Sequence, residues 1–322
     1  MSILLNNNGY DNKTWQLALS ELLPSHELQL FSALDDSAGA REKIEYAVVW
    51  DHPRGDLARY PNLKGILLLG AGTEAIEQEL NLPLVPIVKL IDPEVLDNMA
   101  LYVLHWVTHF YLKFDVYREQ QKERRWHRQE ICRSADYTVT ILGLGHVGTT
   151  VAERLKHAHF KVKAWDKFHK DIEGVECFHD QETIQDALRD SNILINCLPL
   201  NQETEQFIDD KTLSYLPEGA SVINVSRGKV INERDLIRKL DSGYLHHAVL
   251  DAFPTEPLPC DDAMWTHPSV TVTPHMSGAT YARSAARLIA ANIHRIEAGE
   301  APFPVYNRSN NSTAQNTVQT TA

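Results

Sequence analysis

Three short segments of the chain carry side chains that could share one reaction. They are Asn224-Val225-Ser226-Arg227-Gly228, Leu250-Asp251-Ala252-Phe253-Pro254-Thr255-Glu256-Pro257 and Thr273-Pro274-His275-Met276-Ser277-Gly278. A guanidinium presents a planar fork of donors that grips a carboxylate and also reaches a neighbouring carbonyl oxygen. An imidazole gives a proton to that oxygen and removes it in the reverse direction. A carboxylate on the second ring nitrogen fixes the tautomer and favours the charged ring. Arg227, Glu256 and His275 are therefore read as the catalytic set. Arg227 and His275 would also bind the substrate, a small 2-oxo or 2-hydroxy acid. The chain has 15 histidines, so a histidine alone says little. What singles out His275 is its place directly after an apolar run, a place the other two segments share.

A fourth segment, Gly143-Leu144-Gly145-His146-Val147-Gly148, would supply the partner for that chemistry. It follows a strand pattern, opens a helical one, and has Asp166 eighteen residues beyond Gly148. In that context the glycines form a dinucleotide-binding turn. The pyrophosphate meets the helix N-H groups around His146 and Val147, and Asp166 accepts from the adenosine ribose hydroxyls. A carboxylate there repels a 2'-phosphate, so NAD(H) is the preferred coenzyme. Lys163, Lys167 and Lys170 lie close by in sequence and leave NADP(H) open.

The elements that must position these residues are legible as short apolar runs between helical stretches. Tyr46 to Trp50, Leu63 to Leu69 and Leu84 to Val88 read as strands of a first unit. From Pro93 to Arg125 the apolar residues recur at helical spacing, as one long helix or two in series. Strands follow at Tyr137 to Leu142, Phe160 to Trp165, Asn192 to Leu198, Ala220 to Val225, His247 to Leu250 and Val270 to Thr273. After Pro274 a helical stretch runs to Glu297. The fold class is α/β: a doubly wound parallel-sheet dinucleotide-binding domain inserted into a smaller flavodoxin-like α/β substrate domain. The expected substrate domain covers 1-98 and 285-306, the dinucleotide domain 99-284, and a disordered polar tail 307-322. In a parallel sheet the carboxyl ends of the strands share one crevice, which brings the arginine, the acid and the histidine together.

Composition narrows the alternatives. A net charge of -12 gives no general attraction for nucleic acid or anionic membrane. The four cysteines form no short pair, so neither a metal site nor a disulfide framework is expected, and the thiols are read as reduced and mostly packed. His105 and His109 stand four apart, but a third ligand is missing, so a packing or hinge role is expected. With no signal-peptide pattern and no apolar run near a membrane span, a cytoplasmic location is the default.

In order along the chain, Gly143 to Gly148, Leu198-Pro199 with Glu203-Thr204, Asn224 to Gly228, Asp251 to Pro257 and Thr273 to His275 resemble the D-isomer-specific 2-hydroxyacid dehydrogenase family. The resemblance spans about residues 45 to 300. It implies substrate-carboxylate binding by Arg227, acid-base catalysis by His275 with Glu256 as its partner, and contact of Asp251 with the nicotinamide amide. It also implies a coenzyme wall that includes Leu198, Pro199, Thr204, Val225, Ser226, Arg227, His275 and Ser277, with Asp166 and Lys167 at the ribose. Members preferring NADP(H) carry a neutral residue and then arginine at those two positions. The loop Leu69 to Gly72 would hold the substrate carboxylate on backbone N-H groups of Ala71 and Gly72, and Trp50 would wall the pocket. Within the family the pattern is most similar to reductases acting on glyoxylate and hydroxypyruvate, and homodimers formed through the dinucleotide domains are common. Two rivals stand beside that reading: a dehydrogenase of a bulkier D-2-hydroxy acid, and a non-catalytic NAD(H)-sensing regulator.

Overall fold

The computed structural model describes residues 1–7, 12–35, 37–73, 76, 79 and 81–307, so nearly all of the expected tail lies outside the described residues. Two compact units emerge, one from Met1–Val95 with the chain from Thr280 onward, the other from Leu96–Ala279.

The first unit holds a parallel sheet of β1 (Ser2–Asn7), β2 (Glu27–Leu30), β3 (Ile44–Trp50), β4 (Gly65–Leu68) and β5 (Ile87–Val88), in the order β2-β1-β3-β4-β5. Side chains alternate across each strand. Tyr46 and Val48 of β3 thus enter a core with the helices Asn12–Leu22 and Ala282–Glu297, while Ala47 and Val49 enter the opposite core with Leu57, Tyr60 and Leu63. Strands β1 and β2 are additions to the sequence reading. Ser-Ile-Leu-Leu-Asn-Asn is too short and too polar at its end to announce a strand, yet β1 is buried because β2 and β3 flank it. The strand expected from Leu84 starts only at Ile87, because Pro86 has no N-H for a ladder, although its carbonyl accepts from Ile66 at 2.9 Å.

A polar network lies buried in this unit. Asp56 accepts from Arg41 Nη1 at 3.1 Å, His52 Nε2 at 2.8 Å and the Tyr60 hydroxyl at 2.8 Å. His52 Nδ1 then accepts from Asn6 at 2.9 Å. Burial pulls His52 below its ordinary value of 6.5, even with a carboxylate beside it. Burial pushes Asp56 upward, but its bonds from Tyr60, His52 and Arg41 prevail and hold it below 3.8. In both cases the unfolded chain binds more protons than the folded one. Stability therefore falls with pH below 6.5 through His52, and below 3.8 through Asp56. Asp56→Asn removes the buried charge that meets Arg41, His52 and Tyr60 at once, and urea unfolding at pH 7 should show a loss of about 3 kcal/mol. A midpoint equal to that of the parent chain would show that the network does not hold the unit together.

The second unit holds a sheet of seven parallel strands: β6 (Thr138–Leu142), β7 (Lys161–Asp166), β8 (Glu176–His179), β9 (Ile193–Asn196), β10 (Ala220–Asn224), β11 (Leu245–Leu250) and β12 (Val270–Val272). Their order is β12-β11-β10-β9-β6-β7-β8. Alternation again fills two cores. Val139, Ile141, Ile193, Ile195, Ile223 and Val249 face one side with Val103, Val107 and Phe110 of the helix Pro93–Tyr111. Leu142, Leu194, Val222, Ala248 and Leu250 face the other. Burial on both faces explains the near-continuous apolar runs seen in the sequence. The helical stretch after Pro93 proves to be two helices, Pro93–Tyr111 and Phe114–Lys122, separated at Lys113, which takes a left-handed φ of 59°. The helix expected directly after Pro274 begins only at Ala282, and His275 itself lies at φ 49°. Among the described residues, no helix is long and apolar enough to cross a membrane.

Candidate active site

Because the seven strands are parallel, the segments that follow them meet at one edge of the sheet. The strand order reverses between β6 and β9, and open α/β sheets bind ligands at such a switch point.

Two buried asparagines set the frame. Asn196 ends β9 and Asn224 ends β10, and Asn196 Nδ2 donates to Asn224 Oδ1 at 2.9 Å. Asn196 Oδ1 accepts from Leu198 N-H at 3.1 Å, and Asn224 Oδ1 also accepts from Ser226 N-H at 3.1 Å. Asn224 Nδ2 donates to the Arg227 carbonyl at 3.2 Å, and the Ser226 hydroxyl donates to the Leu198 carbonyl. Leu198, Ser226 and the backbone of Arg227 are thus held by one amide pair. Arg227 Nη1 donates to the Ser226 carbonyl at 3.0 Å. Gly228 then brings the arginine loop against the acidic one: a Cβ at Gly228 would lie 2.0 Å from the carbonyl carbon of Phe253, so only glycine permits the approach.

Glu256 is fixed at both oxygens. Oε1 accepts from Phe253 N-H at 2.8 Å, and Oε2 accepts from His275 Nδ1 at 2.7 Å. Burial works against its charge, but the bonds from His275 and Phe253 and the nearby charges of His275 and Arg227 prevail and hold the carboxyl below its ordinary value. The field of Arg227 is therefore felt at Glu256, and Glu256 touches His275. The bond at Nδ1 leaves Nε2 of His275 as the nitrogen able to serve a reacting oxygen.

Asp251, buried after β11, secures the turn that carries His275. Its Oδ1 accepts from the Thr273 hydroxyl at 2.6 Å and from Met276 N-H at 2.9 Å, and its Oδ2 accepts from Ser277 N-H at 2.9 Å. Thr273 spends its hydroxyl proton on Asp251, so Tyr102, 2.7 Å away, donates to Thr273. Burial pushes the Tyr102 phenol up to about 12, which keeps that donor protonated. The nicotinamide contact that the resemblance implies for Asp251 would come in addition to these bonds, which hold the histidine turn.

The Gly143 turn joins β6 to the helix His146–His157. Asp166, at the end of β7, accepts from Leu144 N-H at 2.7 Å and Phe168 N-H at 3.0 Å, which ties it to that turn. The residues present fit a dinucleotide: a Cβ at Gly145 would meet nothing within 4 Å, so open space faces the helix start, while a Cβ at Gly148 would lie 1.8 Å from the Gly143 carbonyl oxygen. Thr204 Oγ1 donates to the Pro199 carbonyl at 2.5 Å and braces the loop after β9. Of the lysines named from sequence, Lys163 does not belong here: it is buried, and its Nζ donates to the Asp186 carbonyl at 3.2 Å and to Asp190 at 3.5 Å.

In the first unit, Trp50 ends β3 and its indole packs on the loop after β4. A Cβ at Gly70 would lie 2.3 Å from Trp50 Cζ3, so Trp50 is placed beside the loop that carries Ala71 and Gly72. His105 and His109 join an aromatic row with Trp106, Phe110 and Phe114. All four cysteines are free, but Cys132 and Cys260 are exposed, so the packing expected of the thiols holds for only part of the set.

Sequence reasoning missed the Asn196–Asn224 pair and Tyr102. The asparagines did leave a signal: each closes a fully buried strand, and a polar side chain in that position must find a buried partner. Tyr102 left none, because its contact with Thr273 spans 171 residues.

A glycine turn with an acid-terminated strand, beside an oriented imidazole-carboxylate pair and an arginine, defines a nicotinamide-dependent oxidoreductase of the α/β class. Residues 104–277 match the model of the D-isomer specific 2-hydroxyacid dehydrogenase NAD binding domain. Over 311 residues the chain is 35% identical to glyoxylate/hydroxypyruvate reductase A of Serratia proteamaculans, covering 95% of this chain and 98% of the relative. A D-isomer specific 2-hydroxyacid dehydrogenase from Xanthobacter autotrophicus Py2, solved with NADPH and MES, superimposes with a TM-score of 0.89 at 35% identity, covering 96% of this chain and 98% of that one. An NADPH-dependent glyoxylate/hydroxypyruvate reductase from Sinorhizobium meliloti, solved with NADP and sulfate, gives 0.88 at 28% identity, with coverage of 96% and 99%. The chain belongs to the D-isomer specific 2-hydroxyacid dehydrogenase family. Its activity is NAD(P)H-dependent reduction of 2-oxo acids, the general chemistry of that family.

Proposed function

We propose that the chain reduces a small 2-oxo acid, glyoxylate or hydroxypyruvate, to the 2-hydroxy acid, and that it prefers NADH. The observation that carries the assignment of roles is the 2.7 Å bond between His275 Nδ1 and Glu256, on a carboxylate that also feels Arg227. Arg227 binds the substrate carboxylate and polarises its carbonyl. His275 gives its Nε2 proton to the carbonyl oxygen, and Glu256 holds the ring in the required tautomer and offsets its charge. Bound nicotinamide supplies the hydride. The Gly143 to Gly148 turn, with His146 and Val147 at the helix start, holds the pyrophosphate, and Leu198, Pro199, Thr204, Val225, Ser226 and Ser277 line the coenzyme's path. Trp50, Ala71 and Gly72 are assigned to the substrate carboxylate and pocket wall.

The substrate assignment draws support from the relative in Serratia proteamaculans, whose name states glyoxylate and hydroxypyruvate. The preference for NADH draws support from Asp166, a carboxylate held in place at the ribose end by two backbone N-H groups. An intact proton donor argues against a sensor that never turns over. Steady-state kinetics with NADH and NADPH against glyoxylate, hydroxypyruvate, pyruvate and phenylpyruvate test the reading. The expected order places glyoxylate and hydroxypyruvate at least about tenfold above phenylpyruvate in kcat/KM, the scale on which a small pocket rejects added bulk. Higher values for phenylpyruvate would replace the assignment with a bulkier D-2-hydroxy acid. A homodimer joined through the second unit completes the proposal. The exposed Trp126 and Ile131 offer apolar surface for it, and light scattering would read a single-chain mass of 36.5 kDa if it is wrong.

A further inference from the structure

Lys167 directly follows Asp166, where a cation could receive a ribose 2'-phosphate. Its ammonium is instead engaged by both oxygens of Glu203, at 2.7 and 2.6 Å. The partners come from opposite sides of the switch point. Lys167 follows β7, Glu203 lies in the loop after β9, and β6 with its Gly143 turn runs between them. The ion pair thus bridges the end of the crevice at which Asp166 grips that turn. Glu203 is aimed by its own backbone: Asn201 Oδ1 accepts from the N-H groups of Glu203 at 2.9 Å and Thr204 at 3.1 Å, and Thr204 Oγ1 accepts from Asn201 N-H at 2.8 Å.

We propose that Glu203 is a coenzyme-specificity residue, occupying Lys167 and presenting a second negative charge to any 2'-phosphate. Discrimination against NADP(H) is then shared by two carboxylates, Asp166 and Glu203, while the neighbouring lysine is neutralised rather than recruited. Both partners are more than half exposed, at 57% and 67%, so the pair adds little to the stability of the fold and acts on the ligand. Lys163 gives no competing cation, since its amine is buried against Asp186 and Asp190. The inference deepens the reading of an NADH preference and rests on it.

The test compares 5'-AMP with 2',5'-ADP, which differ only by the 2'-phosphate, by titration calorimetry on the full chain. Glu203→Gln should raise the affinity ratio of 2',5'-ADP to 5'-AMP about five- to tenfold, as expected from removing one charge several ångströms from a dianion and releasing a cation. The gain should shrink in high salt and be smaller in the Lys167→Ala background, where only the carboxylate's own repulsion remains to be removed. Kinetic preference should move the same way, with kcat/KM for NADPH rising relative to NADH. An unchanged ratio in Glu203→Gln, alongside a raised ratio in Asp166→Ala, overturns the role of Glu203 and keeps the NADH preference. A parent chain that binds 2',5'-ADP more tightly than 5'-AMP overturns the preference. The effect of Glu203→Gln on the ratio then still decides whether Glu203 restrains Lys167.

Discussion

His275→Ala should cut kcat/KM for 2-oxo acid reduction by about 10³-fold, in the middle of the range for a positioned general acid. The loss should fall on kcat, because the proton is delivered only in the transition state. NADH affinity, read by fluorescence, should stay near that of the parent chain. The pH profile carries more information than the rate. Reduction by the parent chain requires a protonated ring, so activity falls toward alkaline pH, and the alanine variant loses that limb. Glu256→Gln keeps a hydrogen-bond acceptor at Nδ1 but removes the carboxylate charge beside the ring, so kcat should fall while NADH affinity changes little. Glu256 itself is held below its ordinary value, since the bonds from His275 and Phe253 and the charges of His275 and Arg227 outweigh its burial. A His275→Ala enzyme with parental kcat and an unaltered pH profile would falsify the assigned proton transfer.

The second large effect concerns two glycines that one motif treats alike. A methyl at Gly148 would collide with the Gly143 carbonyl oxygen at 1.8 Å, and that atom belongs to the backbone of the turn. Gly148→Ala should therefore cost about 1–3 kcal/mol or more of stability through overpacking, and lose NADH binding because the turn is displaced. Gly145→Ala meets nothing within 4 Å, so its melting temperature should match that of the parent chain. Its NADH affinity should nevertheless drop on the order of 100-fold, because the methyl occupies the space through which the pyrophosphate approaches the backbone. Thermal melts and NADH titrations on the two variants separate fold from ligand. Equal NADH affinity in Gly145→Ala and the parent would remove the pyrophosphate from that turn.

The contrast shows what a sequence exposes and what it hides. The glycine turn, Asp166, Arg227, Glu256 and His275 were legible because each follows an apolar run, and parallel strands gather such positions at one edge. Strands β1, β2 and β8 were not, since each is short or polar and owes its pairing to neighbours distant in sequence. The hold of Asp251 on the histidine turn was also hidden, because its three hydrogen bonds to residues 273–277 are a tertiary fact. Proximity in sequence misled for Lys163, whose place in a strand sends it across the sheet from Asp166. In each miss, long-range pairing prevailed over local pattern.

The amide pair of Asn196 and Asn224 has a consequence for how such an enzyme can change. One side chain steadies Leu198, the other steadies the main chain of Arg227, and they clasp each other. On the proposed roles of Leu198 and Arg227, the grip on the coenzyme and the grip on the substrate acid share a hinge pin. New substrate tastes can be acquired by exchanging side chains outside this clasp, with the reactive geometry inherited intact, whereas a loss of either asparagine disturbs both grips at once.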